Sequence, residues 1–296
     1  MKRLSVTIIV SVVVLIVGAA FLALAWRRPS SPVMPRVVPV APSSCSSSGV
    51  GLTGAATLAG AAAVEFPPVR VPILVYHHVR PDLPKNLRPG DGIYFVKPAE
   101  FAAEMGYLKD NGFHPVTFAA LVNYFRSGAA LPPHPVIISL DDGLASQWQY
   151  AFPILQADGL TATFFIFTNA PGRNPDYLTW EQIKRMDEAG NAIASHTRLH
   201  PYLTKATDAN LVSELVGSRQ DLEKHLGHPV SVLAYPFGLA DSRVWAATAQ
   251  AGYVAARALH HRVVISATDL LDLPGYIMTG NLSYFKRVVT GEEENK

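Results

Sequence analysis

The chain has one cysteine, Cys45, among 296 residues, and only 16% of its residues are charged. Because a single cysteine has no partner in the same chain, an intramolecular disulfide framework and a metal site built from several thiolates are excluded. Lysine and arginine number 25 against 23 acidic residues, and the absence of a long basic run argues against nucleic acid as a partner. No glycine-rich phosphate-binding fingerprint follows a predicted strand. The hydrophobic content of 49% is that of a folded protein.

An uncharged apolar run, Leu4 to Trp26, stands near the N-terminus between two basic residues on each side. A membrane-spanning helix needs about 20 such residues, whereas the apolar core of a signal peptide has roughly 7 to 15. The run therefore favours an uncleaved membrane anchor over residues 1–28, although the small residues Ala23 and Ala25 leave signal cleavage open. Residues 29–68, dominated by Pro, Ser, Ala, Gly and Val, are typical of a flexible tether.

Residues 69–290 alternate short apolar runs with amphipathic segments that close on glycine, which indicates βα units around a parallel sheet. The predicted strands are Ile73 to Tyr76, Val136 to Leu140, Ala162 to Ile166, Ala192 to Ser195, Val232 to Tyr235 and Tyr253 to Ala256. The predicted helices are Ala99 to Asn111, Phe118 to Ser127, Ser146 to Ala157, Trp180 to Ala189, Asp208 to Leu226 and Ser242 to Ala251. Six or seven such units in about 220 residues favour a distorted (β/α)7-type barrel over an open doubly wound sheet, without excluding the latter. Residues 291–296 are predicted to be a charged tail.

Residues with catalytic chemistry follow four of the predicted strands. They are Asp141 and Asp142 in VIISLDDG, His196 and His200 in IASHTRLHP, Pro236 to Gly238 in VLAYPFG, and His77 in ILVYHHV. Each, taken alone, has an ordinary interpretation as a turn, a helix cap or a surface residue. The four-residue spacing of the two histidines would place both imidazoles on one face of a helical turn, where they can grip a divalent metal. Active sites of α/β folds lie at the C-terminal ends of the strands. The occurrence of all four motifs directly after predicted strands therefore predicts one shared site.

These motifs resemble those of the polysaccharide deacetylases with a NodB-type domain, carbohydrate esterase family 4. The segment SLDDG resembles the family's Thr-Phe-Asp-Asp-Gly motif, HTRLHP matches its His-Ser/Thr-x-x-His-Pro motif, and YPFG matches the end of its third motif. The resemblance covers roughly Val69 to Val289. Flanking segments such as VPILVYHHV and YLTWEQIKRMDEAG are most similar to the branch that deacetylates poly-β-1,6-N-acetylglucosamine and related exopolysaccharides.

The resemblance implies a role for each motif residue. Asp142, His196 and His200 would bind one divalent cation, with Zn favoured and Co, Ni or Mn as alternatives. Asp141 would act as general base, and the backbone N–H of Phe237 would stabilise the oxyanion. The chemistry agrees, because two imidazoles and one carboxylate leave metal positions open for a water and for the acetyl carbonyl oxygen.

The sequence departs from the family pattern at the general acid and at an arginine. The family usually carries its acid histidine in a Leu-x-His motif near the C-terminus, which His261 fits only superficially. His77 is preferred over His261, because His77 ends a predicted strand. In addition, the exopolysaccharide branch resembles a circular permutation of the family in which the strand that carries the acid comes first, and this makes His77 the counterpart. The arginine usually found before the Pro-aromatic-Gly motif is replaced here by Ala234 and Tyr235, which leaves the orientation of Asp141 unexplained.

The predicted function is removal of N-acetyl groups from N-acetylglucosamine units of an extracytoplasmic polysaccharide, at the outer side of the cytoplasmic membrane. Trp180 and Tyr177 are candidates for stacking on a sugar ring, and Tyr235 is a further candidate for substrate binding. Two alternatives keep the fold, namely deacetylation of peptidoglycan or chitin-like oligomers, and O-acetyl ester hydrolysis. A third, of another class, is a catalytically silent carbohydrate-binding protein, which the missing arginine motivates.

Overall fold

The computed structural model describes residues 66–295 of the chain. The predicted anchor over residues 1–28 and nearly all of the predicted tether lie outside the described residues, so both stay predictions. Within the described range, no helix combines the length and the hydrophobicity needed to cross a bilayer.

The centre of the fold is a sheet of seven parallel strands in the order β10-β9-β8-β7-β6-β2-β12. These strands are β2 Ile73–Tyr76, β6 Pro135–Leu140, β7 Thr163–Ile166, β8 Ala192–Ser195, β9 Val232–Ala234, β10 Ala255–Arg257 and β12 Tyr276–Ile277. Side chains on both faces of the strands are buried, as is usual for parallel strands covered by helices. The α/β class is confirmed, and the predicted strands are found within two residues of their expected bounds.

Over residues 66–295, seven α-helices connect or cover these strands. They are α1 Pro98–Asp110, α2 Phe118–Ser127, α3 Phe152–Asp158, α4 Trp180–Glu188, α5 Asp208–Leu226, α6 Ser242–Gln250 and α7 Leu282–Thr290. A π-helical turn, Gln147–Ala151, runs directly into α3. The predicted capping box at the start of α4 is confirmed, since Thr179 Oγ1 accepts from Gln182 N at 3.2 Å and Gln182 Oε1 accepts from Thr179 N at 2.9 Å. Helix α5 ends at Gly227, whose φ of 81° is the left-handed conformation that glycine adopts without strain.

The sheet curls, and a single segment of chain links its two edge strands. Within the described residues, the edge strands β10 and β12 do not pair directly. Instead Leu273 N donates to Ala256 O at 2.9 Å, and Ala258 N donates to Leu273 O at 2.8 Å. The same segment then enters β12, which pairs in parallel with β2 through Tyr276 and Leu74. The curl brings the C-terminal ends of all the strands around one opening.

Shorter strands secure the periphery of the sheet. They are β1 Val69–Arg70 antiparallel to β11 Val264–Ile265, β3 His78–Val79 parallel to β4 Phe95–Val96, and β5 His114–Pro115 parallel to β6. Short 3-10 turns occupy Asp91–Tyr94, Leu203–Lys205, Pro236–Gly238, Ala267–Asp269 and Glu292–Asn295. The β3–β4 pair matters most for the site, because it returns residues 80–94 to the edge of the opening.

Consecutive strand residues enter different core clusters. In β7, Phe164 packs into a cluster with helices α1, α3, α4 and α7, whereas Phe165 packs into a second cluster with Phe118 of α2. This period of two follows from the pleat of the strand. The second cluster fills the inside of the curled sheet and gives the residues above it a rigid base.

Candidate active site

The strand-end residues selected from the sequence meet in one cavity of about 640 Å³ at the C-terminal ends of the parallel strands. The sequence-predicted residues that line it are His77, Asp141, Asp142, His196, His200, Tyr235 and Phe237. They follow β2, β6, β8 and β9, so each motif lies at the C-terminal end of a different strand. The structure therefore brings these residues together at this edge of the sheet, and their roles in a shared site stay predictions.

Asp142, His196 and His200 bring three donor atoms to one point. Asp142 Oδ1 lies 3.5 Å from His196 Nε2 and 3.5 Å from His200 Nε2, and the two Nε2 atoms are 3.2 Å apart. Ligand atoms bound tetrahedrally to a zinc-sized ion are about 3.3 Å from one another, given bond lengths of about 2.0–2.1 Å. The three side chains thus fit a divalent cation without rearrangement.

The protonation of the two histidines suits metal binding. His196 Nδ1 donates to the carbonyl oxygen of Ala234 at 2.7 Å, which leaves the lone pair of Nε2 directed toward Asp142. Burial lowers the pKa of His196 to about 4, and burial together with the neighbouring His196 lowers the pKa of His200 to about 4. Both rings are therefore neutral at pH 7, the form in which imidazole binds a metal.

Backbone strain is concentrated around these ligands. Asp142, Thr197, His200 and Phe237 have φ of 73°, 68°, 57° and 62°, in the left-handed region that residues other than glycine rarely occupy. Such conformations cost roughly 1–3 kcal/mol each and persist only where the surrounding structure imposes them. Their clustering at one cavity is typical of a functional site.

Glu214 holds the turn between the two histidines. This buried carboxylate on α5 accepts from the backbone amides of Arg198 at 2.8 Å and Leu199 at 2.9 Å. Within the turn, His200 N donates to Thr197 Oγ1 at 3.1 Å. Glu214 thereby stabilises the strained backbone that carries His200 to His196.

We expect Glu214→Gln to weaken divalent-metal affinity about 10- to 100-fold, because the neutral amide accepts less strongly from the two backbone donors. Competition of the full chain with a chromophoric chelator measures this affinity. Glu223→Gln on the same helix, far from the histidine turn, is the matched control. An unchanged metal affinity for Glu214→Gln would contradict the assignment.

Asp141 is held by an arginine that the sequence motifs did not reveal. Arg257, fully buried at the end of β10, donates from Nη2 to Asp141 Oδ2. The guanidinium also packs over the ring of Phe165, 5.3 Å from its centroid. Burial alone would raise the pKa of Asp141, but Arg257, followed by His196 and His77, lowers it below its usual range. The carboxylate is therefore ionised at neutral pH.

This contact corrects the sequence interpretation. The absence of an arginine beside Ala234 and Tyr235 left the orientation of Asp141 unexplained, whereas the structure supplies the guanidinium from the next strand along the chain. One signal was available, because Arg257 directly follows the predicted buried strand that ends at Ala256. A cation in that position needs a buried partner.

The two candidate acids lie in different surroundings. His77 lines the cavity, and its Nε2 is 3.9 Å from Asp141 Oδ2. Burial, the largest influence, lowers the pKa of His77 to about 4. His261 instead is exposed and stacks on Tyr276, with ring centroids 5.0 Å apart. Gln147, in the π-helical turn, donates from Nε2 to the backbone carbonyls of both His77 and Asp141 and ties these two strand ends together.

The candidate substrate contacts differ in position. Tyr235 lines the cavity, but it is buried and its hydroxyl donates to Leu271 O at 2.9 Å. Trp180 stacks on His225, with ring centroids 3.8 Å apart, and is not among the residues that line the cavity. Tyr177 packs edge-on against Phe167, with ring centroids 5.0 Å apart, and does not line the cavity either; burial, followed by the charge of Asp142, raises its pKa. Their contacts with a sugar stay predictions.

Comparison with known proteins relates this geometry to a family. Residues 128–256 match the family model for polysaccharide deacetylase. The chain is 30% identical to the Bacillus subtilis protein YxkH over 186 residues, which are 63% of this chain and 63% of YxkH. It is 28% identical over 159 residues to a poly-beta-1,6-N-acetyl-D-glucosamine N-deacetylase of Staphylococcus aureus, covering 49% of this chain and 54% of that protein. The match therefore spans less than two thirds of the length of either relative.

A solved structure has the same fold. The crystal structure of BC0361, a polysaccharide deacetylase from Bacillus cereus, is similar with a TM-score of 0.64 and 28% identity. The similarity covers 75% of this chain and 69% of that protein. The family match includes Asp141, Asp142, His196, His200 and Phe237, whereas His77 and Arg257 lie outside its bounds.

Proposed function

We propose that this chain is a metal-dependent hydrolase that removes N-acetyl groups from N-acetylglucosamine units of an extracytoplasmic polysaccharide. The match of residues 128–256 to the family model for polysaccharide deacetylase supports this proposal. The observation that carries the proposal is the convergence of three metal-binding donor atoms beside an ionised, arginine-anchored Asp141. A divalent cation at such a site supplies Lewis acidity, which lowers the pKa of water and polarises a carbonyl group.

Asp141 is arranged to accept a proton from the attacking water. Its Oδ2 is occupied by Arg257, while Oδ1 accepts no hydrogen bond within the described residues. The water oxygen adds to the acetyl carbon as its proton passes to Asp141. The backbone N–H of Phe237, in its strained turn, is proposed to donate to the oxyanion that develops.

His77 is proposed to return a proton to the leaving nitrogen. The ring is neutral in the free site, and the negative charge of the tetrahedral oxyanion would raise its affinity for a proton. Its Nε2 lies 3.9 Å from Asp141 Oδ2, beyond direct hydrogen-bond reach, so the proton that Asp141 has accepted would pass to His77 through one intervening water. When the C–N bond breaks, the amine takes this proton and acetate leaves, so that protons balance over the reaction.

The proposed substrate is poly-β-1,6-N-acetylglucosamine or a related exopolysaccharide. The Staphylococcus aureus relative, the resemblance of the flanking segments and the apolar run near the N-terminus support this choice. An anchor over residues 1–28 and a tether over residues 29–68 would hold the enzyme at the outer side of the cytoplasmic membrane. Zn is the proposed ion, with Co, Ni or Mn as alternatives, since imidazole and carboxylate together suit these ions.

We expect the purified full chain to release acetate from this polymer and to lose at least about 100-fold in rate on treatment with a chelator, because the cation supplies the Lewis acid. Added Zn should restore the rate, and added Mg, which disfavours imidazole ligands, should not. Free amines in the product indicate amide hydrolysis, whereas acetate released only from O-acetylated polymer indicates an esterase. A rate unaffected by the chelator would contradict metal dependence.

The geometry also bears on the alternative of a silent carbohydrate-binding protein. That alternative was motivated by the missing arginine and by the uncertain acid. Arg257 contacts Asp141, and His77 lies beside it. Both observations support turnover over binding alone.

A further inference from the structure

A second cavity of about 560 Å³ adjoins the catalytic one. We call it the Tyr202 groove and define it by the residues Leu199, Tyr202, Lys205, Asn210, Ser213 and Glu214. We propose that the Tyr202 groove is a sugar-binding subsite that takes an N-acetylglucosamine unit at least two positions along the polymer from the one being deacetylated. This inference rests on the proposed function and makes the enzyme selective for polymers over short sugars.

The groove and the catalytic cavity share an aromatic wall. Tyr202 lines the groove and stacks on Phe237, with ring centroids 4.0 Å apart and planes 10° from parallel. Phe237 lines the catalytic cavity and contacts His200 edge-on, with centroids 4.7 Å apart. A glycan chain whose reacting unit lies over the metal-binding residues would therefore meet Tyr202 as it continues past Phe237.

The surface of the groove has the chemistry that carbohydrate requires. Leu199 and Tyr202 are 61% and 44% exposed, so apolar surface is presented to solvent directly beside the ligand-bearing turn. A pyranose ring has an apolar face that packs on such side chains and a rim of hydroxyls that needs hydrogen bonds. Asn210 and Ser213, both exposed on α5, offer those bonds across the groove.

The charges in the groove favour a neutral sugar. Lys205 Nζ lies over the Tyr202 ring, 4.9 Å from its centroid, on a flexible and exposed side chain that can donate to hydroxyl or acetyl oxygens. The carboxylate of Glu214 is buried and already accepts from two backbone amides. The groove thus presents an exposed cation, which repels the ammonium of a deacetylated unit and accommodates an N-acetylated one.

The test measures acetate release by the metal-loaded full chain from two substrates. They are β-1,6-linked N-acetylglucosamine oligomers of two and five units. Ser213→Trp fills the groove, and Tyr202→Ala removes its aromatic wall. We expect each to lower kcat/KM for the five-unit oligomer about tenfold and to leave the two-unit oligomer within about twofold. Val212→Trp places the same tryptophan side chain at the neighbouring position, which is 59% exposed and outside the groove, and should change neither rate. Tyr202→Phe keeps the ring and should behave as the wild type.

Equal loss on both oligomers, or no loss on either, would overturn the subsite. Calorimetric binding of the five-unit oligomer separates this result from failure of the proposed function. If no acetate is released from any oligomer, the hydrolase proposal fails. The subsite still stands in that case if Ser213→Trp weakens binding of the five-unit oligomer about tenfold and Val212→Trp does not. If the wild type and Ser213→Trp bind the five-unit oligomer equally, the subsite is refuted whatever the activity.

Discussion

Replacing Asp141 with asparagine is expected to lower kcat for acetate release by about 10³-fold, because the amide cannot accept the proton of the attacking water. The pKa of Asp141 is held below its usual range, so the wild-type site contains the basic form at neutral pH. KM should change little, since Asp141 acts on the reacting water and does not anchor the polymer. Initial rates of acetate release at saturating substrate measure the effect.

The same variant distinguishes a base from a metal ligand. Asp141→Asn should retain one bound divalent ion per chain, because Asp142, His196 and His200 supply the donor atoms. Asp142→Asn should instead lose the ion. Asp187→Asn, which alters a carboxylate paired with His228 at the surface, is the matched control for the substitution itself and should keep full activity. An active Asp141→Asn, or one without metal, would show that the roles of the two aspartates are wrongly assigned.

The sequence predicted the convergence of those residues whose positions follow from strand ends. Asp142, His196 and His200 each come after a buried apolar run, and parallel strands place such positions at one edge. Their mutual distances depend on the positive φ of Asp142 and His200, which residue type alone does not indicate. The convergence of these three residues could therefore be predicted from the sequence, and the distances between their donor atoms could not.

Contacts across the inside of the curled sheet could not be predicted from the sequence. Arg257 and Asp141 are 116 positions apart, and their strands, β10 and β6, are separated by three others in the sheet order. The two side chains meet only because the sheet curls. Strand β12 was likewise missed, since its two residues are too short to show a periodicity, yet it completes the link that closes the curl.

The buried pair of Arg257 and Asp141 should dominate the response of stability to substitution. We expect Arg257→Met to lower the free energy of unfolding by about 3–5 kcal/mol, because it leaves the Asp141 carboxylate buried without its cation. Arg257→Lys should keep the charge but lose the planar fork, with a smaller loss of stability and a lower kcat. Urea denaturation of the metal-free full chain gives the free energies, and acetate release gives the rates.

A double substitution tests whether the loss comes from the unpaired charge. Arg257→Met combined with Asp141→Asn removes both charges, so it should unfold with a free energy higher than that of Arg257→Met alone, although it stays inactive. The single variant Asp141→Asn completes this double-mutant cycle. It leaves the guanidinium of Arg257 buried without its carboxylate partner. Additive losses in the double variant would mean that the two groups do not stabilise each other. A gain over Arg257→Met would mean that the arginine is retained to keep a carboxylate ionised in a buried site, where the proposed hydrolysis needs a base.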